Sequence, residues 1–236
     1  MLDLYFNDVR IPSWISVTNI TESILPSLTV TEESTELKEI EFKISFRFKK
    51  NQLIDIKKKQ EFVYWLKGDN FNNSKLVLPG RSQYYYMAKV KDISDINGTI
   101  KKGTGTITFI AYKGEMVENI KNNIVFNSGE KKILYDGDIE VYPVLTFKVL
   151  SSCNSINLEY KKDDIVSNII INNRNFIAGD ILVLNQATNK LTINNSIDMS
   201  LWSLRSRRHT LTSGINKYKI IEGNVEVKIS WENKYY

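Results

Sequence analysis

The 236-residue sequence carries 32 basic and 27 acidic side chains for a net charge of +5, and its 42% hydrophobic and 25% charged content is that of a folded chain with a core, which excludes disorder. No run approaches the roughly 18 consecutive apolar residues that cross a bilayer, and the start Met1-Leu2-Asp3 lacks a basic segment followed by an apolar one, so neither membrane spanning nor ordinary secretion is expected. One cysteine, Cys153, and one histidine, His209, exclude an intrachain disulfide and the usual zinc ligand sets, leaving only carboxylate-based magnesium or calcium sites open.

The first strong element is Leu37 to Lys49. Ile40, Phe42, Ile44, Phe46 and Phe48 alternate with Glu39, Glu41, Lys43, Ser45 and Arg47, the period of a strand with one face for a core and one for water or a polar partner. A helix follows over 51–67: Asn51 is the expected N-cap, Leu53, Ile56, Val63 and Leu66 the expected apolar side, and Gly68 the stop after Lys67. Lys57, Lys58 and Lys59 read as a solvated helix face, since no aromatic or Arg residues interleave them as a phosphate-binding patch would want.

Leu76 to Leu78 is a short strand stopped by Pro79-Gly80, and Gln83 to Val90 is a tyrosine-rich one in which Tyr84 and Tyr86 share a face. Asn97-Gly98 predicts a tight turn, and Gly105 to Tyr112 returns as a strand. Gly103-Thr104-Gly105 reads as a hairpin turn: it precedes a strand instead of opening a helix, so it is no phosphate cradle. These elements form a β-sandwich or barrel with one helix. Turn signals between Lys121 and Gly129 place a junction there, giving an N-terminal domain over 1–128 and a second over 129–236.

The second domain is read entirely as strands: Val141 to Val149, Ser155 to Tyr160, Ile165 to Ile171, Ile181 to Leu184, Lys190 to Ile193, Asn216 to Ile221 and Val225 to Trp231. Turn residues recur about every 8 to 12 positions, as in an antiparallel sandwich. The fold class is therefore mostly β. Charge is even along the chain, with 18 basic and 15 acidic residues up to 128 and 14 and 12 after it, so no segment has the concentrated basic field of a nucleic-acid-binding protein.

The search for chemistry is mostly negative. His209 has Ser206 and Thr210 near it in sequence but no nucleophile-elbow pattern, and a lone histidine is more often structural. Asp136 with Asp138, and Asp163 with Asp164, have the composition of a glycoside hydrolase pair, although such clusters usually form solvated turns. Arg205, Arg207 and Arg208 suit a protein interface, a phosphate contact or a charged strand edge. Tyr84 and Tyr86 suit sheet packing, a subunit interface or a sugar platform. No cofactor is expected.

In order and spacing these features resemble the distal tail proteins of phages with long, non-contractile tails, over essentially the whole chain. The carriers are Leu4-Tyr5-Phe6-Asn7-Asp8-Val9-Arg10-Ile11-Pro12, the strand Ile40 to Phe48, Trp65-Leu66 closing the helix, Leu76-Val77-Leu78-Pro79-Gly80 before Tyr84 to Val90, and Tyr142-Pro143-Val144-Leu145. In the second domain they are Ile169-Ile170-Ile171-Asn172-Asn173, Ala178-Gly179-Asp180-Ile181-Leu182-Val183-Leu184, Leu204, and Leu211-Thr212-Ser213-Gly214-Ile215-Asn216.

The resemblance implies a virion structural protein and no enzyme: a homohexameric hub at the distal end of the tail, assembled in the host cytoplasm. Its first domains would form a ring continuing the tube lumen, in contact with the tail tube protein and a tail-associated tip protein. Its second, galectin-like domains would dock receptor-binding or baseplate proteins, and passing DNA would be touched only non-specifically. Glu41, Lys43, Ser45 and Arg47 would then meet a neighbouring subunit or face the lumen, with the apolar side of their strand against the helix. Tyr84, Tyr86, Arg205, Arg207 and Arg208 are the docking or sugar-platform candidates. The rival reading is a carbohydrate-binding module for cell-wall or surface glycans, and a glycoside hydrolase comes third.

Overall fold

Alternating apolar residues build strands along nearly the whole chain, and the computed structural model, which describes residues 3–25, 39–49, 54–99 and 102–236, sorts them into two units, Met1–Asn119 with Tyr236 and Ile120–Tyr235. The first unit runs β1 (Tyr5–Phe6), β2 (Val9–Arg10), β3 (Ile15–Leu25), β4 (Glu39–Phe48), α1 (Ile56–Lys67), β5 (Ser74–Val77), β6 (Tyr84–Thr99), β7 (Lys102–Ala111) and β8 (Met116–Glu118). The strands lie in the order β2-β1-β5-β6-β7-β4-β3, with β8 also paired to β6. β6 is shared: its residues up to Ala88 pair with β5 and β8, and those from Lys89 onward pair with β7.

Along β4 the alternation does what the sequence predicts. Phe42, Ile44 and Phe46 are buried with Ile107 and Phe109 of the adjacent β7, and α1 closes over that side. Phe62 and Trp65 of the helix enter an aromatic cluster, with Phe46 to Phe62 at 5.4 Å, Trp65 to Phe109 at 6.3 Å and Phe6 to Phe109 at 5.0 Å between ring centroids. Two indole hydrogen bonds fasten the helix. Trp65 Nε1 donates to the carbonyl of Val9 and Trp14 Nε1 to Glu61 Oε2, both at 2.8 Å.

The helix differs from its expectation in start and in face. It begins at Ile56, with Asp55 as N-cap accepting from the backbone N–H of Lys58 at 2.9 Å. Asn51 and Leu53 lie outside the described residues. Ile56 and Val63, expected inside, are 74% and 60% exposed, while Phe62, Trp65 and Leu66 are buried. The large aromatic side chains bury more apolar area than the aliphatic ones and so turn the helix onto their own stripe. Gly68 ends it as expected, at φ +50°, with the buried ring of Phe6 only 2.6 Å from where a Cβ would sit.

The β6–β7 hairpin corrects two further expectations. Asn97 and Gly98 lie within β6, paired with Thr104 and Gly103, so neither is a turn residue. Gly103-Thr104-Gly105 is likewise strand, not turn. Irregularities between Val90 and Asp92 and between Ser94 and Asn97 shift the pairing, so that the Asn-Gly pair is taken into the strand.

The second unit contains β9 (Asn122–Phe126), β10 (Glu130–Tyr135), β11 (Val144–Val149), β12 (Ile156–Lys162), β13 (Ile165–Ile171), β14 (Ile181–Asn185), β15 (Lys190–Ile193), β16 (Ser196–Ile197), a 3-10 turn at Met199–Leu201, β17 (Gly214–Glu222) and β18 (Val225–Trp231). They form two antiparallel sheets, β10-β17-β12-β13 and β16-β15-β14-β11-β18-β9. Leu158, Ile169 and Tyr218 of the first sheet share one core with Leu145, Phe147, Leu182 and Val227 of the second, which makes the unit a sandwich. The mostly-β class, with one helix-bearing unit and one all-strand sandwich, is the fold observed.

Candidate functional site

Because side chains alternate along a strand, burying Phe42, Ile44 and Phe46 sends Glu41, Lys43, Ser45 and Arg47 to the other side of the sheet. The register sets hydroxyl and amide residues beside them. Lys43 lies between Thr21 and Thr108, Ser45 between Asn19 and Thr106, and Arg47 between Ser16 and Thr104. Lys43 and Arg47 are exposed and Ser45 half-buried. Glu41 is buried beneath two ammonium groups, with Lys91 Nζ at 2.6 Å and Lys43 Nζ at 3.3 Å. The hydrogen bond from Lys91 holds the Glu41 carboxyl below its usual range, against the opposing effect of burial. This face of the sheet is therefore cationic and hydroxyl-rich, with the buried Glu41 carboxylate already paired. The threonines of β7 join it through strand register, and Lys91 reaches Glu41 from the irregularity between Val90 and Asp92.

Tyr84 and Tyr86 do not form an aromatic platform together. Tyr86 is 4% exposed, its ring 4.7 Å from that of Phe42, and its hydroxyl accepts from Arg81 at 3.1 Å. Arg81 also pairs with Glu22 at 3.1 Å. Tyr84 is half-buried.

Arg205, Arg207 and Arg208 lie in an irregular segment after the 3-10 turn and are all exposed. Backbone hydrogen bonds from Ser203 to Ile170 and from Arg207 to Asn168, both 3.0 Å, lay the segment along β13, and the Ser206 hydroxyl bonds Ile170 on both backbone groups. It therefore covers a sheet edge. Arg208 differs from the other two: it donates to the carbonyl of Gln186 at 3.3 Å and stacks 5.2 Å over the ring of Tyr142.

His209, next in the chain, points inward. Its Nε2 is 2.7 Å from the Tyr218 hydroxyl, its ring stacks on Tyr160 at 4.1 Å, and its backbone N–H donates to Gln186 Oε1 at 3.1 Å. Burial pushes its pKa down to about 3, so the ring is neutral. The acid pairs do not converge with it: Asp136 and Asp138 are exposed around Gly137, and Asp163-Asp164 is the two-residue turn between β12 and β13. Among the described residues no three His, Cys, Asp or Glu side chains gather closely enough to hold a metal ion.

Residues 136–235 match the family model described as the siphovirus-type tail component, C-terminal domain. No curated protein sequence matches the chain. Among solved structures, the chain is similar to the Dit protein of phage SPP1, described as a paradigm of the hub adsorption apparatus in phages infecting Gram-positive bacteria: TM-score 0.74, 8% identity, covering 98% of this chain and 99% of that one. It is also similar to a chain of the phage p2 baseplate in its activated conformation with Sr, with TM-score 0.51, 12% identity and 97% of each chain covered. At such identities these two likenesses concern the fold, and the family match concerns the second unit. The resemblance read from strand and turn order is thus met by a family match over residues 136–235 and by a fold likeness over both units.

Proposed function

We propose that this protein is the hub joining the tail tube to the tip apparatus, acting as a homohexamer whose first units form a ring and whose second units hold receptor-binding or baseplate proteins. The observation that carries the reading is the match of residues 136–235 to a siphovirus-type tail component. The fold likeness to the SPP1 hub protein over both units supports extending it to the whole chain. On this reading the chain is no enzyme, and its activity is recognition between surfaces. The cationic, hydroxyl-rich face of Lys43, Ser45, Arg47 and Lys91 lines a subunit contact or the lumen, and in the lumen it meets DNA phosphates only without sequence preference. The rival sugar-binding reading has lost its platform, since Tyr86 is in the core.

Native mass spectrometry of the purified chain tests the ring. A species of six times the 27.3 kDa chain mass is the expected result. A monomer at every concentration and salt condition, including in the presence of tail tube protein, contradicts it.

A further inference from the structure

On the solvent side of the sheet β10-β17-β12-β13, Lys132 lies directly opposite Lys217, and Lys217 directly opposite Lys161. Like charges in register across strands destabilise a sheet. The next row shows the usual remedy, with Glu130 and Glu159 flanking Lys219. Among the described residues the lysine row has no such remedy: Lys132 and Lys161 have no acidic partner, and Lys217 has only Glu130 at 3.9 Å. Beside it on the same face, Leu134 and Ile215 form a directly opposed cross-strand pair, 70% and 52% exposed. β10 is also an edge strand of this sheet.

We infer that this face, the Lys132-Lys217-Lys161 row with the Leu134-Ile215 pair, is the docking surface for an acidic partner protein that lays carboxylates along the lysines and apolar side chains on Leu134 and Ile215. The charge row selects an anionic partner, which relieves the repulsion that the isolated sheet carries. The apolar pair beside it selects a protein over a polyanionic polymer, whose repeating charges would leave Leu134 and Ile215 in water. As an edge strand, β10 is where a partner strand would be added to the sheet. This deepens the hub reading and rests on it: the face belongs to the unit that is proposed to hold other tail proteins.

The test places the photo-crosslinking residue p-benzoylphenylalanine at Leu134 in tails purified from lysed cells, with the same residue at exposed Ile197 as control. The expected product is a covalent adduct from position 134, and not from 197, to a second tail polypeptide through an acidic segment. Its yield should fall at least tenfold in a Lys132→Glu, Lys161→Glu background. The purified double variant should melt no lower than the parent, because the substitutions remove a repulsion. Tails that contain the chain but give no adduct from Leu134, or only adducts to a second copy, overturn the docking face and leave the hub reading standing. Loss of attachment to an anionic cell-wall polymer in the double variant, with no protein adduct, overturns the protein partner. Tails lacking the chain altogether overturn both.

Discussion

The imidazole of His209 and the hydroxyl of Tyr218 meet at 2.7 Å inside the second unit, where burial holds the histidine neutral down to about pH 3. Unfolded, a histidine titrates near 6.5, so the unfolded chain binds a proton in this range that the folded chain refuses. Stability is fully present above about pH 6.5 and declines as pH falls towards 3. His209 is the only histidine in the chain, so the slope between pH 7 and 5 belongs to it. Urea unfolding of the second unit should show a loss of about 2 kcal/mol between those two values. His209→Phe should be less stable at pH 7, with the Tyr218 hydroxyl left unpaired, but nearly flat in this window.

Glu41 under Lys91 and Lys43 gives a pH dependence of the carboxylate kind. Its folded pKa is lowered by the Lys91 hydrogen bond, so its contribution is present above the ordinary carboxylate range and is lost as pH falls through that range and below. Both lysines are about half exposed, which screens the pair. Glu41→Gln should therefore cost only about 1 kcal/mol at pH 7. The melting temperatures of the two proteins should converge as pH falls below the ordinary carboxylate range.

Gly68 tests the fit of α1 onto the first sheet. A side chain there meets the buried Phe6 ring and an unfavourable positive φ at once. Gly68→Ala should lose about 1–3 kcal/mol in thermal unfolding, by strain and overpacking.

The helix start makes a separate prediction. Asp55→Ala removes the side-chain acceptor for the Lys58 N–H and should cost about 1 kcal/mol, read by hydrogen exchange as faster opening of the first turn.

Strand alternation made most of this fold legible. Ile165 to Ile171 and Val225 to Trp231 appear where period two places them, and the strand expected over Val141 to Val149 appears from Val144 onward; in each, alternate residues such as Leu145, Ile169 and Val227 are buried because one face must meet the sandwich core. The helix face was ambiguous because apolar residues fill more than one stripe, and what decides between Val63 and Phe62 is the aromatic pocket of Trp14, Phe46 and Phe109, assembled from distant strands. Asn97-Gly98 carried a turn signal that strand pairing overrode. β9 and β10 went unread because Asn122-Asn123 and Ser128-Gly129 resemble linker chemistry.

The site was less legible than the fold. Glu41, Lys43, Ser45 and Arg47 fall on one face by alternation alone, but Lys91 reaches Glu41 from the irregularity between Val90 and Asp92 in β6, which alternation does not reveal. Tyr86 faces inward because Phe42 and the Arg81 guanidinium claim its two ends. The lysine row had no sequence signature at all, since Lys132 and Lys217 belong to strands that become neighbours only in the folded sheet.

Cryo-electron microscopy of the phage tail that incorporates this chain is the most direct measurement of the central claim. The account predicts six copies in a ring at the distal end of the tube, with the second units outward. Tails whose distal ring is built by another polypeptide, with this chain absent or located elsewhere on the particle, would contradict it.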